Sequence, residues 1–379
     1  MRRSIRVRLI CGVIAIITIP LLCIFGIIAY NIAHLSRDNY ITASSTELER
    51  TSRGITLFLD EAKRNMDYLA SFPALREINA GLTNFLGARG MVQTLPREDD
   101  VLGKRLREDC RLLQKSHPAY RKVYLASRDG GFISNSEAAR EGGYDPRTRA
   151  WYKEAAATPD KAILSSPFRS TDGQGTISAA RAFPDASGQV LGVVSSDISL
   201  SVITDMVGSI RAGKTGFVVV VDKNGVIIAD TRNPEYGLKT LKELGDNALT
   251  SLFSGASGDV EKKLGDKVYV ANIFDSPELG WRFVSCIEKW ELMEPAKNTV
   301  MAIAWVALAG LVLIIAGVWQ LMDHGVIRPL ALVGDFLQGI RAGRYADRLA
   351  LQRHDEIGGI YTALNAMWCS FEKGISLVR

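Results

Sequence analysis

The run Thr299–Met322, TVMAIAWVALAGLVLIIAGVWQLM, carries no formal charge, which returns only at Lys297 on one side and Asp323 on the other. As a helix it would be about 36 Å long, enough to cross a ~30 Å hydrocarbon core with some tilt. A buried core helix in a soluble protein rarely continues so far without a charge, so the run predicts a membrane span. Residues 9–33, LICGVIAIITIPLLCIFGIIAYNIA, form a second charge-free stretch, preceded by Arg2, Arg3, Arg6 and Arg8 with no acid among them. A cationic tail on a first span holds that end in the cytoplasm. A cleaved signal peptide would have a shorter apolar region, and a lipoprotein site at Cys23 would have Leu22 where a small residue belongs. The expectation is an uncleaved anchor and an in–out–in topology. A cytoplasmic tail (1–8) precedes transmembrane helix 1 (9–33), and an outer domain (35–297) separates it from transmembrane helix 2 (299–322).

The formal net charge of +5 comes partly from the membrane-flanking arginines, so it does not suggest a nucleic-acid partner. Of the five cysteines, only Cys110 and Cys286 fall in the outer domain, which is large enough to build a core without a disulfide. From Ile41 the sequence turns helical: Ile41, Leu48, Ile55, Ala62 and Leu69 recur every seventh residue, with Leu59 and Met66 beside them. That stripe could pack on its own domain, form a dimer seam, or do both, and the expectation is dimerisation through this region. Pro73 ends the helix, and residues 76–116 read as a polar, helical segment.

Strand patterns follow. Val123–Ala126, the turn Arg128–Gly131 and Phe132–Ser134 read as a hairpin, and Phe217–Val221, Asp222–Gly225 and Val226–Ala229 repeat its shape. Each hairpin is followed by further strands, Gly175–Phe183 with Val190–Ile198 and Lys267–Ile273 with Trp281–Ile287. Two α+β units in tandem, distal over about 76–205 and proximal over about 206–297, account for the pattern.

A long helix running from the membrane into two PAS-like units resembles the double Cache sensor domain of bacterial transmembrane receptors. The resemblance rests on GGYDPRTRAWYKEA (142–155), SSPFRS (165–170) and GQVLGVVSSDISL (188–200). It implies a non-enzymatic receptor in the bacterial inner membrane, in contact with its lipid, with an extracytoplasmic sensor. Tyr144, Arg149, Trp151 and Tyr152 are similar to the family motif that grips α-amino acids. Their chemistry suits that role: Arg149 offers a planar fork to a carboxylate, Trp151 an N–H and an apolar wall. Asp197 and the Tyr144 ring are available to an ammonium. Phe168 and Ser170 stand where the family's amino-acid sensors have Tyr and Asp, leaving the carboxylate handle intact and the ammonium handle weakened. Asp172 could replace the missing acid only with its loop rearranged. The expected ligand is an amino acid or another small carboxylate, with Tyr144, Arg149, Trp151 and Asp197 in contact and Tyr152, Phe168 and Ser170 shaping the pocket. In the competing reading, Trp151 and Tyr152 are core aromatics and Arg149 a scaffold ion pair.

Enzyme readings find little support: the four histidines are His34, His117, His324 and His354, and no G-x-S-x-G, H-E-x-x-H or Cys/His metal spacing occurs. No metal or cofactor is expected, and a membrane-anchored hydrolase is the remote alternative. Beyond the second span, Val326, Leu330, Val333, Leu337 and Ile340 are spaced 4-3-4-3, and Ile357, Ile360, Leu364, Met367, Phe371, Gly374 and Val378 continue the alternation. Between these seams lies a connector built on Gly343, Tyr345 and Leu349. Residues 323–376 resemble a HAMP domain, an all-α parallel bundle made by a homodimer. The order Cache, span, HAMP points to a methyl-accepting chemotaxis receptor, with the input half of a sensor histidine kinase or diguanylate cyclase as the alternative. The output module would lie beyond Arg379 or on a separate partner.

Overall fold

One helix, α1 (Ile5–Ala70), carries the first apolar run and the heptad stripe without interruption. It stops three residues short of Pro73, which opens a 3-10 turn instead (Pro73–Glu77). The computed structural model describes residues 5–341 and 354–376, apart from 171, 186, 211 and 246. It divides into two compact units, Ser36–Glu294 on one hand and Met1–Leu35 with Pro295–Arg379 on the other.

In the first unit, α1 is followed by β1 (Met91–Gln93), α2 (Val101–Ser116), β2 (Tyr120–Ser127), β3 (Phe132–Ser134), β4 (Ala139–Glu141) and α3 (Ala150–Ala156). Then come β5 (Ile163–Leu164), β6 (Phe168–Arg169), β7 (Gly175–Pro184), β8 (Val190–Ser199) and α4 (Leu200–Gly208). The second half adds β9 (Phe217–Val221), β10 (Ile227–Asp230), α5 (Asn247–Phe253), β11 (Gly258–Leu264), β12 (Lys267–Asp275) and β13 (Arg282–Glu288). The segment expected to be helical over 76–116 is helical only at its two ends. Gly81, Gly87, Gly90 and Pro96 break the middle, where β1 pairs with β4.

Two antiparallel sheets result, β3-β2-β8-β7-β5 (with β6 also on β7) and β10-β9-β13-β12-β11. The strand order is the same in both. Each hairpin turn closes on a glycine at positive φ, Gly130 at +89° and Gly225 at +77°. In each, that glycine's N–H reaches back three residues, to Ser127 O and Asp222 O, over 3.0 Å. Only glycine adopts this backbone without strain.

The stripe on α1 is buried by its own chain. Leu48, Ile55, Leu59, Ala62 and Met66 are fully inaccessible and pack with Val123, Leu125 and Val194 of the first sheet and Val218, Val220 and Phe283 of the second. Each of the larger side chains contributes roughly 1.5–3 kcal/mol of burial. The stripe is therefore core and not a dimer seam; contact with a second copy along this helix would have to use its other faces. Cys110 and Cys286 are buried free thiols, each pushed by burial up to about 12.

In the other unit, α6 (Lys289–Met322) runs through a π-helical turn (Asp323–Ile327) into α7 (Arg328–Arg341), and α8 (Glu356–Ser376) follows. α1 and α6 are each long and apolar enough to cross a membrane. They present Ile16, Leu22, Val306 and Leu313 outward, more than 60% exposed, an apolar surface unsuited to water. Tyr361 of α8 donates to Pro329 O over 2.9 Å, and Gly358, Tyr361, Asn365 and Trp368 are buried on that helix. The expected seam residues Leu330, Leu337, Ile360 and Met367 are 40–46% exposed; Leu330, Ile360 and Met367 each adjoin a buried residue, Pro329, Tyr361 and Trp368. The connector residues Gly343, Tyr345 and Leu349, and Val378 at the end of the second seam, lie outside the described residues.

Candidate functional site

The pocket motif sits over the face of the first sheet that is turned away from α1. Register fixes which side chains share that face: Asp197 lies opposite Ser178 on one side and Lys122 on the other, Ser195 opposite Ala180 and Tyr124, and Val193 opposite Ala182 and Ala126. Directly opposed residues point to the same side of a pleated sheet. The floor is thus mostly alanine and serine around one tyrosine, one lysine and one buried carboxylate.

Aromatic side chains stand on this floor. The turn Pro146–Thr148 delivers Arg149 as the extended N-cap of α3, which puts Trp151 and Tyr152 in its first turn. Trp151 is 2% exposed and meets Tyr124 edge-on at 4.9 Å, with Tyr152 at 5.6 Å on its other side. Tyr124 continues to Phe132 at 5.7 Å, and Phe132 to Tyr144 at 5.1 Å. Phe168, half-buried on β6, packs against the same cluster. Trp151 and Tyr152 both belong to this packed aromatic wall.

Asp197, 4% exposed, is held at the centre. Tyr124 Oη and Ser178 Oγ both donate to its Oδ1 over 2.6 Å, and Oδ2 makes no hydrogen bond among the described residues. Burial pushes its carboxyl above the ordinary range, against the pull of those two hydrogen bonds and of the Lys122 and Arg140 charges. Burial likewise raises the Tyr144 phenol, against the opposing Arg140 and Arg149 guanidiniums.

Neighbouring arginines divide sharply. Arg147 is saturated by Asp145, through Nε to Oδ1 and Nη2 to Oδ2 over 2.8 Å each. Arg149, two residues on and half-buried, makes no side-chain hydrogen bond or ion pair among the described residues. It is not a scaffold ion pair there. Ser170, 7% exposed, is not drawn into the aromatic cluster: its backbone closes a tight loop, N–H to Gln174 O over 2.8 Å. Asp172 does not take over as the missing acid. It turns to Arg121 over 2.5 Å and Lys122 over 3.3 Å, and although burial pushes its carboxyl up, Arg121 and Lys122 hold it down at about 2.

Three participants were not singled out in the sequence: Tyr124, Ser178 and Arg140. The Arg140 guanidinium lies 4.5 Å from the Phe132 ring centre and 4.3 Å from that of Tyr144. Strand alternation carried a signal for Tyr124 and Ser178, but nothing local marks Arg140. Among the described residues no group of His, Cys, Asp or Glu is placed to hold a metal ion. A cavity of ≈ 700 Å³ lies elsewhere, in the second half, lined by the Asp222–Gly225 turn, Thr240, Lys242, Phe253, Trp281 and Arg282.

Two sheets of one strand order strung along a single long helix define a tandem PAS-like α+β module. The chain belongs to the Cache domain family, whose model matches residues 33–296. It is 27% identical over 247 residues to the methyl-accepting chemotaxis protein McpA of Pseudomonas putida, an alignment covering 64% of this chain and 38% of that one. With the methyl-accepting chemotaxis protein McpA of Bacillus subtilis the identity is 23% over 382 residues, 100% of this chain and 53% of the relative. The chain thus spans about half, or less, of the length of these curated relatives. The ligand-binding domain of the Pseudomonas fluorescens chemoreceptor CtaA, solved in complex with L-leucine, shares the fold. Its TM-score is 0.51 at 22% identity, over 69% of this chain and 100% of that domain.

Proposed function

We propose that this chain is the sensing and relay portion of a transmembrane chemoreceptor of the methyl-accepting type. Residues 35–297 bind a small extracytoplasmic molecule bearing a carboxylate, an amino acid or a related acid, at Tyr144, Arg149, Trp151, Tyr152, Phe168, Ser170 and Asp197. Residues 9–33 and 299–322 cross the inner membrane, and residues 323–376 relay the signal as a HAMP bundle with a second copy of the chain. Sequence relatives of the methyl-accepting type support this class. The exposed seam on α7 and α8 suits a dimeric bundle, because isolated amphipathic helices of this length need a partner. A ligand shifts such a device only by binding its two states unequally.

The observation that carries the reading is a pair of unmet valences across one aromatic wall. Asp197 keeps Oδ2 free of hydrogen bonds, and the Arg149 guanidinium has no ion pair, among the described residues. One invites an ammonium, the other a carboxylate. The test is calorimetric titration of the purified full chain with L-amino acids and small organic acids. Arg149→Ala should weaken whatever binds by roughly 10- to 150-fold, the loss of a charge-assisted pair worth ~1.5–3 kcal/mol. The thermal midpoint should hardly move. Unchanged affinity in the folded variant would sink the site.

A further inference from the structure

Resting on the ligand site just proposed, we infer that the ligand carries a second carboxylate, gripped by Arg140: an acidic amino acid, with its α-carboxylate on Arg149, its ammonium toward Asp197 and its side-chain carboxylate on Arg140. Arg140 occupies the middle of β4, opposite Val92 of β1, at the end of the aromatic wall remote from α3. Its guanidinium lies over two rings, Phe132 at 4.5 Å and Tyr144 at 4.3 Å, and those rings meet at 71°. Stacking on a ring occupies the face of a guanidinium and leaves its edge of N–H donors for a planar, bidentate acceptor.

One donor of that edge is shared with the Tyr144 hydroxyl, but no protein carboxylate takes it: Arg140 has no ion pair among the described residues. Four acids are committed elsewhere, Asp145 to Arg147, Asp172 to Arg121 and Lys122, Asp185 to Arg128 and Glu137 to Arg107, while exposed Glu141, next to Arg140 on β4, alternates to the opposite side of the strand. Asp197 is then the acid left on the floor, joined to Arg140 through the contacts Asp197–Tyr124–Phe132–Arg140. The Arg140 charge acts on Asp197, and Arg140 and Arg149 both act on Tyr144, so two guanidiniums share a site with one floor carboxylate. An amino acid with an apolar side chain brings no net charge and would leave one guanidinium without an anion as water is expelled, which is costly. An acidic amino acid balances the site.

The full chain in detergent is titrated with L-aspartate, L-glutamate, L-alanine and L-leucine, wild type against Arg140→Gln and Arg149→Ala. The expected result is that wild type favours one of the acidic pair over both apolar amino acids by at least about 10-fold. Arg140→Gln should erase that preference while leaving the apolar amino acids within about 3-fold, and Arg149→Ala should weaken all of them. Arg140→Lys, which keeps the charge but not the planar fork, should recover part of the preference. If Arg140→Gln lowers the thermal midpoint and leaves the ranking of the four unchanged, Arg140 only packs the rings and the inference fails while the ligand site stands. If apolar amino acids bind in an Arg149-dependent way and acidic ones no better, the result is the same. If none of the four binds the folded wild-type chain, the inference falls, and the small-acid panel decides the fate of the site itself.

Discussion

The two halves of the unit Ser36–Glu294 share strand order, hairpin turn and the helix they lean on, yet the sheet faces turned away from that helix are built from different materials. In the first half that face holds Asp197, Ser195, Ser178, Tyr124 and three alanines. In the second half, by the same register logic, it holds Phe217, Val219, Val284, Cys286, Ala271 and Ile273, packed under Leu249 and Leu252 of α5. One face has small and titratable groups with unmet valences; the other is a largely apolar core whose buried acid, Asp230, is held by backbone donors. The cation over an aromatic ring recurs, Arg232 above Phe217 at 4.1 Å, and so does a buried carboxylate, Asp230, which lies opposite Val219; there, however, Oδ1 accepts from the backbone N–H groups of Arg232 and Asn233. The large cavity of the second half lies at the sheet's rim, where Arg282 already serves Asp275 and the carbonyls of Phe253 and Gly255. Space alone does not make a site; unsatisfied chemistry facing that space does.

The contrast can be broken most forcefully by moving a charge. Val284→Asp would bury an unpaired carboxylate in the closed core, and the expected cost is roughly 3–5 kcal/mol by denaturant unfolding. A near-neutral result would show that the second face is open after all. Cys286→Ser is gentler: a hydroxyl placed among Phe217, Tyr269 and Val284 should cost about 1–3 kcal/mol, although the first face is floored with serines. Equal tolerance in both halves would erase the distinction.

The smallest effect has the opposite sign. Asp197 has a folded pKa above its unfolded value near 3.9, so between the two the folded state holds the proton that the unfolded chain has lost. Its contribution to stability is greatest below the unfolded pKa, declines as pH rises to the folded pKa and is level beyond. Asp197→Asn keeps an acceptor for Tyr124 and Ser178 and should remove that decline, raising stability at neutral pH by on the order of 1 kcal/mol while abolishing ammonium recognition. Thermal midpoints of both proteins across about pH 4 to 8 provide the check. Parallel curves would mean that Asp197 titrates normally and that the floor is wetter than its burial implies.

Most strands were legible because β-branched runs and a turn with glycine announce themselves locally, as in Phe217–Val221 and Asp222–Gly225. β11 was not, since GDVEKKL reads as a charged loop; as an edge strand paired only with β12 it can expose those charges to water. Arg149 and Asp197 were visible as chemistry, and Trp151 as part of a motif. Arg140 was not, because a polar residue in a short strand gains meaning only when β1–β4 pairing sets it above Phe132 and Tyr144.

What the sequence determined by itself is whatever depends on near neighbours: two runs too long and too apolar for anything but a span-length helix, the seven-residue stripe, the paired hairpins and the family to which they belong. Tertiary structure alone decided how those parts were spent. It turned the stripe into core by laying both sheets on it, and it gave Asp172 to Arg121 and Lys122 while leaving Arg149 without an ion pair among the described residues. Partner choice among charges depends on distance and burial across residues far apart in the chain, and periodicity carries no record of either.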